Sequence, residues 1–522
     1  MPRMRVSLSL VVTFMTPASH SSHHHRHLTR LLLRFLVYLL ALFLVCMGLW
    51  VNDNFGEPSL EQVLYHLQFG MEGLVDTDAQ LIHSFIQQAL LLPLLLALLV
   101  VGFEFVSGYY LSRTLHHPAG WAHSQARRAL KVSYWVISHR APVYVLMSAL
   151  AYFCVQFSML AYLHSQFGRD YFSEHYLDPR KVTITARQPL NLVLIYVESL
   201  ENSYRDPALF GSNLLASLDA LNGLRFERFR QAPGTGWTIA GITATQCAVP
   251  LKSVSLYNGN DQGHNIKSFL PNAVCLGDIL HDFGYRNVYM GGDALSFSGK
   301  GRFFLDHHYS EVYGREELKQ GRSKADMNFW GLYDDDLFVY ARARLQALQR
   351  EGKPFNLTLT TIDTHGPDGH FSRHCQQRGV TDFPGIVRCT ADQVASFVQF
   401  MQRKGYLANT RVVILGDHLA MSNPVYKQLD SLQQRTIYNQ FIGLPSAQKL
   451  REQVLHFDML PSILEFIGFN VEGGRLGLGY SAIKAPKDVD MPLPEATIFE
   501  EMDKDLLNES DTYLQLWKPS VH

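Results

Sequence analysis

The chain has 522 residues, a net formal charge of −1 and a hydrophobic fraction of 47%. This length exceeds that of one ordinary domain, and the near-zero charge argues against the basic surface typical of nucleic-acid-binding proteins. The apolar residues are unevenly spread, with long runs in the first third of the chain, which indicates a membrane-embedded part.

Three apolar segments in this part are long enough to cross a bilayer, which takes about 20 apolar residues. They are Leu31–Val51, Leu81–Leu111 and Pro142–Leu163. Arginines precede the first segment, acidic residues follow it, and a basic loop follows the second. This alternation satisfies the positive-inside rule. We therefore expect a cytoplasmic segment (1–30), a membrane domain with three transmembrane helices (31–165), and all later residues outside the cytoplasm.

An alternative concerns the start of the chain. Met1–Ser22 has a basic beginning, a short apolar core and small residues after it, which is typical of a signal peptide. Cleavage there would leave the histidine- and arginine-rich stretch His23–Arg34 outside the cytoplasm, against the charge rule. A mis-assigned start codon is a second explanation.

The cysteines agree with an exported domain. Cys46 and Cys154 lie in predicted spans, whereas the other four fall in the exported part. An even number of cysteines in an oxidising compartment predicts two disulfides. Cys375–Cys389 and Cys247–Cys275 are the shortest pairings, although four cysteines allow three. No CxxC occurs, which argues against zinc-ribbon and thioredoxin chemistry.

After a polar linker (166–188), short apolar runs alternate with amphipathic stretches up to residue 485, and a weakly patterned acidic tail (486–522) comes last. The predicted strands are Asn191–Ser199, Arg286–Asp293, Phe355–His365 and Arg411–His418, and the predicted helices are Asp335–Arg350, Asp392–Lys404 and Asp458–Ile467. This alternation predicts an α/β domain over 189–485, with a mostly parallel central sheet and helices on both faces.

Polar residues come directly after two of these strands. Asp417 and His418 end the run RVVILGDH, and Glu198 ends the run NLVLIYVE. Open α/β sheets bind ligands at the carboxyl ends of their strands, and carboxylate oxygen with imidazole nitrogen suits a divalent metal. The alternatives are an Asx turn with a solvent-exposed His418, and a helix N-terminal acid at Glu198. Together the three residues favour a metal site.

Thr238 is the candidate nucleophile. It comes after the flexible stretch PGTGW and begins a predicted helix, where backbone N–H groups favour an anion. With a metal alongside, a threonine hydroxyl becomes an activated nucleophile, whereas without one Thr238 is a simple helix cap. Thr235 and Thr243 are rivals for the same role.

Four further residues are candidates for binding a substrate. His365, in the stretch TIDTHGPDGH, could contact a phosphate oxygen or protonate a leaving group. Lys300, in SGKGRF, could pair with a phosphate as a point charge, and Asp293 and Arg302 are weaker candidates of the same kind. The alternatives are a structural histidine in a turn and a solvated lysine.

The ordered set Glu198, Thr238, His365 and Asp417-His418 resembles the alkaline phosphatase/sulfatase superfamily. More narrowly, the sequence resembles the membrane-anchored lipoteichoic acid synthase-like branch and, within it, the phosphoglycerol transferases that modify osmoregulated periplasmic glucans. The resembling text covers roughly residues 191–481 and comprises NLVLIYVESLE, PGTGWTIAGITATQCAVPL, CLGDIL, DTHGPDGHFSRHC, GDHLAM and LGLGYS.

The resemblance implies a function and a site. One divalent metal, Mn²⁺ first and Mg²⁺ or Zn²⁺ otherwise, would be held by Glu198, Thr238, Asp417 and His418. Thr238 would also be the nucleophile, and His365 would contact the head group, with Lys300 near the position of a basic substrate residue. The expected reaction transfers phosphoglycerol from phosphatidylglycerol to a periplasmic β-glucan through a phospho-threonine and releases diacylglycerol. The expected location is the bacterial inner membrane, with the catalytic domain in the periplasm.

Two departures from the family pattern concern substrate contacts. The family motif after Asp363 reads His-His-Pro-Asp-Gly, and here Gly366 replaces the second histidine. We also expect the chain to lack the longer C-terminal extension of some relatives, a difference that concerns recognition of the acceptor.

Three rival functions stay open. A phosphoethanolamine transferase or a lipoteichoic-acid-synthase-like transferase would use the same core on another donor or acceptor. A sulfatase would need C/S-x-P-x-R, and the nearest text, CAVPLK from Cys247, has the wrong spacing and no arginine. A non-catalytic membrane scaffold would not need the acid, hydroxyl and Asp-His set.

Overall fold

A computed structural model of the chain describes residues 20–55, 60, 63–64, 79–115, 121–186, 189–252, 268–319, 321, 326–328, 330–443, 449–483 and 496–518. The chain divides into two compact units. One, the apolar unit, comprises residues 1–50 and 84–154, and the other, the α/β unit, comprises residues 51–83 and 155–522.

The first part of the chain is helical. Its helices are His20–Phe55, Ala79–Phe85, a π-helical turn at Ile86–Leu91, Leu92–Leu115 and Trp121–Gln156. Among the described residues, two stretches are long and apolar enough to cross a membrane, Thr29–Asn54 and Ile82–Tyr109.

The predicted third span is not among these two. The helix that begins at Trp121 ends at Gln156, and a second, short helix runs over Met159–Ser165. Ser158 lies between them with a left-handed backbone (φ 50°), which interrupts the helical hydrogen bonding. The apolar segment Pro142–Leu163 is therefore divided, so three crossings stay a prediction.

The α/β unit contains twelve short strands in its described residues. In chain order they are β1 (Ile184–Ala186), β2 (Asn191–Val197), β3 (Arg228–Arg230), β4 (Arg286–Gly291), β5 (Glu311–Tyr313), β6 (Phe355–Thr360), β7 (Thr410–Gly416), β8 (Asn439–Ile442), β9 (Gln453–Leu455), β10 (Phe469–Val471), β11 (Arg475–Leu476) and β12 (Gly479–Tyr480).

Six of these strands form the central sheet in the order β5-β4-β6-β2-β7-β8. All neighbours are parallel except β7 and β8, which pair antiparallel. The mostly parallel sheet predicted from the sequence is confirmed. The short strands β1–β10, β3–β9 and β11–β12 pair in three separate ribbons.

Both faces of the sheet are buried, as expected for a parallel sheet covered by helices. In β2, Leu192, Leu194 and Tyr196 belong to one apolar core, and Val193, Ile195 and Val197 belong to the other. This alternation results from the two-residue period of a strand. Helices Thr238–Cys247, Leu276–Asp282, Lys300–Asp306 and Met459–Phe466 supply the first core, and Asp334–Glu351 and Phe383–Arg403 supply the second.

Shorter helices complete the unit. They are Tyr171–His175, Pro207–Phe210, Ala216–Asp219, Arg315–Leu318, Arg373–Gln377, Tyr426–Asp430, Ala496–Asp505 and Asp511–Leu516.

The predicted linker (166–188) and tail (486–522) both contribute buried residues to the α/β unit. In the linker, Tyr171 and Phe172 are buried and β1 pairs with β10. In the tail, Met502, Tyr513 and Trp517 are buried in the same core, on or next to two amphipathic helices. The polar faces of these segments concealed a few large apolar residues, which suffice to anchor them. Residues 187–188, 484–495 and 519–522 lie outside the described residues.

Both predicted disulfides are confirmed. Cys247–Cys275 joins the end of the Thr238–Cys247 helix to the residue that caps helix Leu276–Asp282. Cys375–Cys389 links helix Arg373–Gln377 to helix Phe383–Arg403. Either bridge lowers the entropy of the unfolded chain and so stabilises the fold.

Candidate active site

The candidate metal ligands come together because two central strands are in register. β2 and β7 are adjacent and parallel, with Val197 opposite Gly416. The next residue of β2 is Glu198, and the next two residues of β7 are Asp417 and His418. All three side chains are buried, with exposed fractions of 1%, 0% and 0%. We name these three residues the acid–imidazole triad.

Ligand atoms of the triad lie within 4.8 Å of one another. The Nε2 atom of His418 is 3.4 Å from Glu198 Oε1 and 3.6 Å from Asp417 Oδ2. The other ring nitrogen, Nδ1, donates to the Leu419 carbonyl at 2.8 Å, which leaves Nε2 facing the carboxylates. Asp417 Oδ1 accepts from the backbone N–H groups of Ser199 and His418 at 2.8 and 2.9 Å.

Two buried atoms of the triad have no hydrogen-bond partner among the residues that the structure describes. They are Asp417 Oδ2 and His418 Nε2. Buried polar atoms are almost always satisfied, so a pair of unsatisfied atoms at one point indicates a binding site. Two carboxylates and an imidazole are ligands that a divalent cation such as Zn²⁺ or Mn²⁺ accepts. The triad therefore fits a divalent metal.

The electrostatics of the metal-free triad support this conclusion. Burial and the neighbouring charge of Glu198 raise the pKa of Asp417 from 3.8 to about 7. Burial lowers the pKa of His418, but Asp417 and Glu198 outweigh it and raise that pKa to about 9. Burial likewise raises the pKa of Glu198, yet His365 and His418 hold it below its usual value. Without a cation the triad retains protons, and a bound metal would displace them.

Thr238 lies beside the triad. Its hydroxyl donates to Glu198 Oε2 at 3.1 Å. It is the first residue of helix Thr238–Cys247, as the sequence predicts, so its hydroxyl lies where unpaired backbone N–H groups favour an anion. Gly241, one turn later, contacts the backbone carbonyl of Asp417 so closely that a Cβ there would collide with it. The lack of a side chain at Gly241 brings this helix against the triad.

The rival threonines make no such contact. Thr235 is buried and donates to the Ala232 carbonyl at 2.6 Å. Thr243 is buried in the helix, and its hydroxyl forms no hydrogen bond with any residue that the structure describes. Neither hydroxyl is bonded to the triad, which favours Thr238.

The loop of residues 361–370, here called the His365 loop, is bonded to Glu198 on both sides. The Thr361 hydroxyl accepts from the Glu198 N–H at 3.1 Å, and the Thr364 hydroxyl donates to the Glu198 carbonyl at 2.6 Å. His365 Nδ1 donates to the Gly366 carbonyl at 2.7 Å, and its ring lies 4.4 Å from that of Trp330. The loop thus sets His365 next to the residue that holds Thr238.

Gly366, where the family motif has a second histidine, has a steric explanation. A Cβ at this position would collide with the backbone carbonyl oxygen of Ser422. The close contact between the His365 loop and the segment after His418 therefore depends on glycine, and the backbone leaves no room for an imidazole there.

The three remaining predicted residues, Lys300, Asp293 and Arg302, differ in burial and in their ion-pair partners. Lys300 and Asp293 form a buried ion pair, with 2% and 3% exposure. Burial lowers the pKa of Lys300, but Asp293, Tyr289 and Glu198 together raise it above its usual value. Arg302 is exposed and pairs with Asp306 on its own helix. Arg302 is therefore not brought to the triad, because its side chain projects from the outer face of that helix.

Two residues that were not predicted from the sequence support the triad. Ser199 donates its hydroxyl to Glu198 Oε1 at 2.7 Å and its N–H to Asp417. His456 donates from Nε2 to the Asp417 carbonyl at 2.8 Å, and burial lowers its pKa to about 3. Ser199 is the residue after Glu198 and could have been suspected. His456 lies 39 residues after Asp417 in the sequence, and no motif around it indicates a role at the site.

Comparison with known proteins places these features in a family. The model of the sulfatase family matches residues 190–469. Phosphoglycerol transferase I of Escherichia coli O6:K15:H31 (strain 536) is 33% identical over 377 residues, which cover 70% of this chain and 46% of that protein. The chain thus spans about half the length of the curated relatives it matches.

Solved structures also resemble the chain. An alkaline phosphatase superfamily protein from Vibrio parahaemolyticus is 17% identical, with a TM-score of 0.45 over 68% of this chain and 94% of that one. The lipooligosaccharide phosphoethanolamine transferase A of Neisseria meningitidis, an integral membrane protein, is 12% identical, with a TM-score of 0.46 over 84% of each chain.

Proposed function

Because this chain belongs to the sulfatase family, we propose that it transfers the phosphoglycerol head group of phosphatidylglycerol to a periplasmic β-glucan and releases diacylglycerol. The name of the curated relatives, phosphoglycerol transferase I, supports the transferred group. The two apolar helices support an enzyme of the bacterial inner membrane, tethered near a lipid donor. Tethering raises the effective concentration of that donor.

One observation carries the proposal. The Thr238 hydroxyl is bonded to Glu198, beside two buried ligand atoms, Asp417 Oδ2 and His418 Nε2, that form no hydrogen bond within the described part of the chain. A hydroxyl next to such a pair of ligand atoms, at a helix N-terminus, suits nucleophilic attack on a phosphorus atom. A scaffold without catalytic activity would have no need of these unsatisfied buried groups.

The metal would be held by Glu198, Thr238, Asp417 and His418. When bound, a divalent cation lowers the pKa of a coordinated hydroxyl and offsets charge on a phosphoryl group. The donor set of three oxygens and one nitrogen suits Mn²⁺, our first choice, as well as Mg²⁺ or Zn²⁺.

These residues divide the reaction into two transfers. Glu198 accepts the Thr238 hydroxyl proton as the threonine oxygen attacks phosphorus and the bond to the diacylglycerol oxygen breaks. His365, whose Nδ1 is held by the Gly366 carbonyl, donates a proton from Nε2 to that oxygen. A glucan hydroxyl next attacks the phosphorus of glycerophospho-Thr238 and gives its proton to His365, while Glu198 returns its proton to the departing Thr238 oxygen.

Labelled donor tests this proposal. Membranes containing the full chain would receive phosphatidylglycerol labelled in its glycerol head group, Mn²⁺ and β-glucan. We expect label on the glucan and free diacylglycerol. Thr238→Ala should abolish both products, because no other hydroxyl is bonded to Glu198 Oε2 in the described residues. Thr243→Ala, which removes a buried hydroxyl without a partner on the same helix, is the matched control and should retain activity.

Other outcomes separate the rivals. Transfer that survives in Thr238→Ala would move the nucleophile, with Thr235 tested next. Transfer only from labelled phosphatidylethanolamine would retain the site and replace the donor. Purified protein that binds no metal and is unaffected by chelation would favour the scaffold.

A further inference from the structure

His370 ends the His365 loop and is not used in the mechanism above. Its backbone N–H donates to the Asp363 carbonyl at 2.7 Å, and the Gly369 N–H donates to the His365 carbonyl at 3.0 Å. Gly369 has a left-handed backbone (φ 71°), which turns the chain back on itself. His370 therefore lies beside Asp363 and Thr364, and Thr364 is bonded to the Glu198 carbonyl.

The side chain of His370 has an unsatisfied atom. Its Nε2 is buried and has no hydrogen-bond partner among the described residues. Burial and the nearby His365 lower the pKa of His370 to about 3, whereas Glu198 acts in the opposite sense. The imidazole is therefore neutral at pH 7, so it can donate or accept one hydrogen bond but carries no charge.

A neutral imidazole suits a hydroxyl better than a phosphate oxygen. Phosphate is bound most strongly by cations and charge-assisted donors, and at this site the triad with its metal and the N-terminus of the Thr238 helix serve that purpose. A hydroxyl is uncharged and both donates and accepts hydrogen bonds, so it can satisfy either tautomer. The uncharged part of the head group is then the natural partner of His370.

We propose that His370 is a specificity residue, whose Nε2 hydrogen-bonds a hydroxyl of the transferred glycerol. This assignment rests on the proposed function, because it takes phosphoglycerol as the transferred group. It assigns to this chain a residue that recognises the head group apart from the phosphate.

Two donors that differ only in head-group hydroxyls test the assignment. Phosphatidylglycerol and phosphatidylpropanol would be compared as donors with the manganese-loaded full chain, by kcat/KM. We expect the natural enzyme to prefer phosphatidylglycerol by about tenfold, the value of one hydrogen bond to a buried group. In His370→Ala, kcat/KM should fall for phosphatidylglycerol and stay unchanged for phosphatidylpropanol, so that the preference is lost. His370→Gln should recover part of the preference. His374→Ala, an exposed histidine nearby, should behave as the natural enzyme.

An equal fall in kcat/KM for both donors in His370→Ala would assign His370 a structural role and overturn the proposal. An unchanged preference for phosphatidylglycerol in this variant would also overturn it. A parallel binding measurement separates this from failure of the proposed function. Titration calorimetry would measure the affinity of the manganese-loaded protein for glycerol 1-phosphate and, separately, for propyl phosphate. This measurement needs no turnover. If the natural enzyme uses no phosphatidylglycerol but still prefers glycerol 1-phosphate in a His370-dependent manner, the donor is wrong and the contact stands. Absence of any His370-dependent preference in this titration overturns the contact.

Discussion

Replacing Asp417 with asparagine should stabilise the metal-free protein while it abolishes metal binding. Asp417 Oδ1 accepts two backbone hydrogen bonds, which an asparagine carbonyl can retain, and Oδ2 accepts no hydrogen bond from the described residues. Raising the pKa of this carboxyl from 3.8 to about 7 costs roughly 4 kcal/mol of folding free energy once it is ionised in both states. Asparagine does not ionise and avoids this cost, but it also removes the attraction between Asp417 and the His418 imidazolium, which offsets part of the gain.

The raised pKa sets the sign of the pH dependence. The folded state holds the proton more tightly than the unfolded state, so the penalty is absent below pH 4, grows as the pH rises to about 7 and is complete above it. Because relaxation and the lost attraction to His418 both reduce the gain, we expect about 1–4 kcal/mol, or a Tm increase of about 1–5 °C for a folded unit of roughly 400 residues. This gain should appear at pH 8 in EDTA and largely disappear at about pH 4.5, near the unfolded-state pKa.

Differential scanning fluorimetry in detergent, with EDTA or Mn²⁺, measures both effects. The natural enzyme should gain Tm with Mn²⁺ at pH 8, and Asp417→Asn should not. Asp458→Asn is the matched control, because Asp458 also accepts two backbone hydrogen bonds but pairs with Arg451 at 2.9 Å. This control should lower Tm. A metal-free Asp417→Asn that is less stable than the natural enzyme at pH 8, or a difference independent of pH, would refute the reasoning.

Three further outcomes are expected. Gly241→Ala should push the Thr238 helix away from Asp417, which should cost about 1–3 kcal/mol of stability and lower kcat. Thermal unfolding and the labelled-donor assay measure these two effects. Unchanged activity would contradict the close approach of the helix to Asp417. Arg435→Ala should destabilise the protein by about 3 kcal/mol, because it leaves the buried carboxylate of Glu201 unpaired, and adding Glu201→Gln should restore part of the loss in urea unfolding. Mn²⁺ affinity, measured by titration calorimetry, should rise between about pH 5.5 and 8 as the triad loses protons. An affinity that does not change with pH would argue against a proton retained at Asp417.

The sequence by itself determined the central strands and the polar residues at their ends. Short runs rich in β-branched residues, such as Asn191–Val197 and Thr410–Gly416, predict strands from local pattern alone. The polar residues after each run could be predicted to share one sheet edge, since parallel strands end on the same side. The start of the helix at Thr238 and both disulfides could also be predicted, because they depend on short stretches of chain.

The helix boundaries were predicted less well. Helix Phe383–Arg403 begins well before the predicted Asp392, because Asp382 caps it and Pro384 lies in its first turn. A proline at this position fits the start of a helix, whereas the prediction started from the charged residue further along.

Only the tertiary structure decided how distant residues combine. That Glu198 lies next to Asp417 depends on β2 and β7 being neighbours, in a sheet whose strand order differs from the chain order. That Lys300 is neutralised by Asp293, that His456 is buried against Asp417, and that the Nε2 atom of His370 is buried depends on contacts between separate segments. Local pattern depends on a few neighbouring residues, whereas burial and pairing depend on the whole packed core. For this reason the kinds of side chain at the site could be predicted from the chain, and packing decided which of them lack a partner.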